Sequence, residues 1–127
     1  MQEQHLFEYA IIRVVPRVER EEFINTGVIL FCKRQRFIKV LYTVNEARLT
    51  ALCSDIDIQQ LSLNLASFER IARGAKDGGP IAQFEAAERF RWLTAIRSSV
   101  IQTSRPHPGF SANLEDTALR LFNDIVL

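Results

Sequence analysis

At 127 residues the chain is long enough for one domain with its own core, since about two-thirds of the unfolded surface is buried at this size. Hydrophobic residues make up 47% and charged residues 24%, which excludes a disordered or low-complexity chain. A net charge of +1, from 16 basic and 15 acidic residues, lacks the strongly basic balance of a dedicated DNA-binding domain, so any electrostatic function must come from local arrangement.

The first element predicted is a strand, Leu6 to Val15, β-branched and aromatic and ended by Pro16. Its inward face is expected to carry Leu6, Ala10, Ile12 and Val14, with Tyr9 and Arg13 on the other side. A charged connector follows, about one helical turn in reach. FINTGVILFC then reads as a central strand, because its apolar run does not alternate and needs cover on both faces. Asn25, Thr26 and Gly27 ahead of that run mark a turn or bulge with a positive φ. KRQR is the hairpin turn into a third strand, Arg36 to Val44, with Ile38, Val40, Tyr42 and Val44 on one face.

Asn45 is placed to cap a short helix, and the clearest helix runs from Asp57 to about Arg73. Ile58, Leu61, Leu65, Phe68 and Ala72 form its apolar stripe. Pro80 suits the first turn of a third helix, Ile81 to about Phe90. SSVIQTS, Ser98 to Ser104, reads as a fourth strand, RPHPGF as a rigid loop, and Asn113 as the cap of a last helix. The order β-β-β-α-α-α-β-α does not alternate strands with helices, so the expected class is α+β: a single domain with an antiparallel sheet of about four strands and helices on at least one face. The two-sided apolar second strand raises the further expectation that another subunit covers one sheet face.

Cys32 and Cys53 carry neither disulfide spacing nor a metal motif, and are expected as two buried thiols in a reducing compartment. The N-terminal stretch lacks a signal-peptide pattern, and Gly27 to Cys32 falls far short of the roughly 20 apolar residues of a membrane span. A soluble cytoplasmic protein without membrane attachment is expected. No phosphate-binding loop, zinc-protease or serine-hydrolase motif occurs, and no cofactor and no metal are implied. Asp55 and Asp57 sit where a helix begins, so capping explains them better than metal binding.

The most informative stretch is RFRWLTAIRSSVIQTSRPHPGF, Arg89 to Phe110, which holds Arg89, Arg91, Arg97 and Arg105 and no carboxylate. Strand alternation would put Arg97, Ser99, Ile101, Thr103 and Arg105 on one face, two hydroxyls bracketed by two guanidinium groups. That is a cradle for a phosphate or carboxylate. The plainer alternative pairs these arginines with Glu8, Glu19, Glu21 or Glu22. His107, stiffened between Pro106 and Pro108, is the weak candidate for a general acid or base, with no nucleophile beside it. Trp92 is read as core or as an interface anchor.

Two blocks, Glu22 to Phe31 and Arg89 to Gly109, carry a resemblance that extends from Phe7 to the last helix. The chain resembles the bacterial domain of unknown function 3037 family. The resemblance implies a small cytoplasmic bacterial protein encoded near toxin-type protein-kinase homologues, and it assigns no catalytic residue. The leading expectation is a non-enzymatic protein-binding or accessory module, or a homo-oligomer, that uses its arginine-rich surface. The alternatives are an enzyme or sensor for a phosphorylated ligand, using Arg97, Arg105 and His107, and a weak nucleic-acid binder, disfavoured by the near-neutral charge.

Overall fold

The computed structural model describes residues 3–97 and 99–127. Five strands form one antiparallel sheet: β1 (His5–Val14), β2 (Ile24–Cys32), β3 (Phe37–Tyr42), β4 (Ile101–Thr103) and β5 (His107–Ser111). The helices are α1 (Glu46–Leu52), α2 (Ile58–Ala72), α3 (Ala86–Leu93) and α4 (Leu114–Ile125). The class is α+β, as the unalternated element order predicts. β1 lies at the centre, flanked by β2 and then β3 on one side and by β4 and β5 end to end on the other.

Period-two alternation sorts the sheet into two faces. Ala10, Ile12 and Val14 of β1, with Ile29 and Phe31 of β2, pack against Leu61, Leu65, Phe68 and Ala72 of α2 and Phe90 and Leu93 of α3. Burying each large aliphatic side chain contributes about 1.5–3 kcal/mol. On the opposite face Phe7, Leu30 and Cys32 meet Leu114 and Ala118 of α4. The second sheet face is therefore covered over β2 and β3 by the chain's own last helix, not by another subunit. Leu6, expected inside, is 56% exposed and lines an open cleft with Ala86 and Ala87 at the start of α3.

The caps follow the sequence. The side chains of Asn45, Asp57 and Asn113 accept from the backbone N–H of Arg48, Gln60 and Asp116 and fix the starts of α1, α2 and α4. The expected third helix is divided: a single 3-10 turn at Ile81–Gln83, then Phe84 in extended conformation, then α3. The β1–β2 register slips between Ile12, opposite Gly27, and Arg13, opposite Asn25, which leaves Thr26 as the extra residue of a bulge. The bulge is as expected, but Gly27 does not have a positive φ. Glycine is required there for a different reason: a Cβ would lie 2.5 Å from the Leu41 carbonyl oxygen and 2.8 Å from Tyr42 Cβ.

RPHPGF is not a loop. His107–Ser111 is a strand, tolerant of Pro108 because it forms the sheet's outer edge. β4 is shorter than expected, and Ser98 lies outside the described residues. Between Thr103, opposite Ile12, and His107, opposite Tyr9, the outer side holds Ser104, Arg105 and Pro106 against only Ile11 and Ala10. Ser104 repairs the mismatch. Its N–H donates to the Ile11 carbonyl at 2.9 Å, and its Oγ accepts from the Ile11 N–H at 2.8 Å. Ser104→Ala should cost about 1–3 kcal/mol, the penalty of an orphaned backbone donor. Chemical denaturation would show this as a lower midpoint at unchanged slope.

Candidate functional site

The four arginines of the acid-free block do not converge. Arg89, on α3, is a clamp: its Nε donates to the Ala72 carbonyl at 3.2 Å and its Nη1 to the Phe84 carbonyl at 2.5 Å. It ties the end of α2 to the segment leading into α3. Arg91 is exposed and makes no ion pair among the described residues. Arg97 stacks its guanidinium 4.0 Å over the Trp92 ring and donates to the Trp92 carbonyl. Arg105 follows in the β4–β5 bulge, exposed, and does not line the cleft that Arg97 lines.

Four residues of the expected strand face do line one cleft. Arg97, Ser99, Ile101 and Thr103 line one cleft of about 190 Å³ together with Asn64, Ser67 and Trp92. Ser99 Oγ donates to the Ile101 carbonyl at 2.7 Å, whereas Thr103 Oγ1 is buried and has no partner among the described residues. The bulge after Thr103 removes Arg105 from this face.

His107 is on the other side of the sheet. It is exposed, opposite Tyr9, with the two ring centroids 5.3 Å apart. Opposed residues of an antiparallel ladder share a face, so His107 belongs with Tyr9 and Phe7, whereas Thr103 belongs with Ile12 and the α2–α3 core. The structure thus separates His107 from Arg97, Ser99 and Thr103.

Nor do the glutamates compensate the block. Arg20 Nε donates to Glu22 Oε1 at 2.6 Å, and this bond holds the exposed Glu22 carboxyl below its usual range. Cys53 is half-buried, not fully buried as expected. Its thiol donates to Asp55 at 2.9 Å, and this bond is the chief reason that Asp55 titrates below an ordinary aspartate. Among the described residues no three of His, Cys, Asp and Glu come together to hold a metal ion, and no helix is long and apolar enough to cross a membrane.

Sequence reasoning missed three residues around Arg97. Ile96 is 98% exposed, and Phe23 is exposed with the Arg13 guanidinium 4.2 Å from its ring centroid. A second cleft, of about 570 Å³, is lined by Arg13, Phe23, Ile96, Arg97, Gln102 and Glu21, among others. Arg13 alternates outward from the core in β1, which was visible. Its meeting with Phe23 and Arg97 depends on loops that carry no sequence signal.

The chain folds as a small α+β domain in which Arg97 lies where two clefts meet. The chain belongs to the family described as "Protein of unknown function (DUF3037)", whose model matches residues 9–126. No curated protein and no solved structure matches it.

Proposed function

We propose that this protein is a non-enzymatic binding module that docks an acidic protein partner through the surface between α3 and β4. One observation carries the reading: Arg97 stacks on Trp92, 40% exposed, and shares a cleft with Ile96, 98% exposed, so two exposed apolar side chains flank one arginine. Large apolar side chains grouped on a surface mark an interaction site, and tryptophan and arginine are the residues that most often dominate binding energy. Arg97, stacked on Trp92, is held in one conformation, so little side-chain freedom remains to be lost on binding. The family resemblance suggests a toxin-type protein kinase as the partner class.

The test uses the tagged protein as bait in native lysate, with and without nuclease, beside an Ile96→Asp variant. A protein captured near stoichiometrically should survive nuclease and disappear with Ile96→Asp. Loss of all bound material on nuclease treatment, with affinity falling steeply in salt, would replace this reading with nucleic-acid binding.

A further inference from the structure

We propose that the cleft between β1, β4 and the Phe23 and Ile96 loops is a binding site for a small-molecule oxyanion, a carboxylate or phosphate group, with Arg13 as its principal ligand. The site does not depend on a protein partner. α4 covers this sheet face over β2 and β3, and toward β4 the face is left to Arg13 and Gln102, opposed across the ladder.

Arg13 has no counterion among the described residues. Its neighbours on the two flanking strands are neutral amides, Asn25 on β2 and Gln102 on β4. Its Nε is buried and has no acceptor among the described residues, and the Asn25 Oδ1 opposite is buried and unpartnered as well. Both atoms are shut off from solvent, and a donor and an acceptor on opposed residues can serve each other, so an acceptor from outside would meet the terminal nitrogens of Arg13, a cleft-lining cation with no carboxylate partner among the described residues. Gln102 has its amide nitrogen committed to the Ser99 carbonyl at 2.8 Å.

The cleft is also pre-organised for an anion. Two arginines line it, and each rests on an aromatic ring, Arg13 on Phe23 at 4.2 Å and Arg97 on Trp92 at 4.0 Å. Stacking occupies the face of a guanidinium and leaves edge nitrogens for an oxyanion, although Arg97 already gives one Nη to the Trp92 carbonyl. Val15, Val18, Phe23 and Ile96 supply apolar walls for the rest of such a ligand. Glu21 is the one carboxylate among the described lining residues, and it forms no ion pair with either arginine.

Titration with inorganic phosphate and, separately, benzoate, at constant ionic strength, tests the site through the arginine side-chain NMR signals. The Arg13 and Arg97 Nε–H signals should shift saturably with at least one anion while Arg105 stays still. Saturation by phosphate alone identifies a phosphate ligand, and by benzoate alone a carboxylate on an apolar body. Arg13→Gln should weaken the affinity on the order of tenfold, as expected for losing one charge-assisted bidentate contact, and Glu21→Gln should strengthen it. Should Arg13→Gln fail to fold, Arg13→Lys keeps the charge and loses the fork, and the same weakening is expected. Shifts that never saturate with either anion, that appear equally at Arg105, or that persist in the Arg13 variants would overturn the proposal.

Discussion

Gly27→Val should destabilise the fold by about 3 kcal/mol or more, even though valine is the better strand former. The intrinsic preference for valine in a strand is at most about 1 kcal/mol. Against it stands a Cβ that would lie 2.5 Å from the Leu41 carbonyl oxygen and 2.8 Å from Tyr42 Cβ. Directly opposed Cβ atoms ordinarily sit about 4.5–5.5 Å apart. Neither obstacle is the flexible end of a side chain, so β3 must move as a backbone. Its neighbours are fixed: Gly27 is buried, Tyr42 packs on the α2–α3 core, and the Thr43 N–H donates to the Thr26 carbonyl at 2.9 Å. Sterics therefore win over propensity. Thermal unfolding should show a midpoint lowered by about 10 °C or more. A variant with an unchanged midpoint would mean that β3 is not held against Gly27 as described.

Arg89→Ala is expected to cost about 2–3 kcal/mol, whereas Arg91→Ala and Arg105→Ala should each stay within about 0.5 kcal/mol. The four arginines look alike in sequence, so the contrast comes from structure. Arg89 is half-buried and makes two charge-assisted bonds to carbonyls at the end of α2 and before α3. Removing it leaves the Ala72 and Phe84 carbonyls without that donor and frees the segment that seats Phe90 and Leu93 in the core. Arg91 and Arg105 are exposed, and each costs little to remove. Urea denaturation of the three variants side by side checks the ranking. Equal effects at all three positions would contradict the division between a structural arginine and surface ones.

Local rules made much of the fold legible. The stripe Leu61, Leu65, Phe68 and Ala72 is the buried face of α2, and the caps Asn45, Asp57 and Asn113 start the helices they were read to start. β2 is covered on both faces, as its unbroken apolar run requires. What covers the second face was not legible, because an amphipathic stripe on α4 shows that the helix must pack and not where. β5 was hidden by its own composition. Pro106, Pro108 and Gly109 are turn residues by every local rule, yet a sheet edge tolerates proline, and Gly109 leaves room for the Phe7 ring.

The surface was legible only in part. Strand alternation put Arg97, Ser99 and Thr103 on one side, and the three do line one cleft. It could not show that Arg89 would spend its donors on carbonyls or that one extra residue after Thr103 would carry Arg105 away. Ile96 gave no signal, since an isolated isoleucine at a helix exit reads as core. Arg13 was legible as outward-facing, but not its surroundings, because its partners arrive through the ladder and the Phe23 loop.

Docking of a partner on the α3–β4 surface can be read residue by residue with site-specific photo-crosslinking. A photoreactive residue is placed at Ile96 and, as a control on the α4 side, at Leu119, which is 51% exposed. Irradiation in native lysate should give one discrete adduct from position 96 and none from position 119. An adduct of twice the chain's own mass would make the partner a second copy. No adduct from position 96, or the same adducts from both positions, would contradict the account.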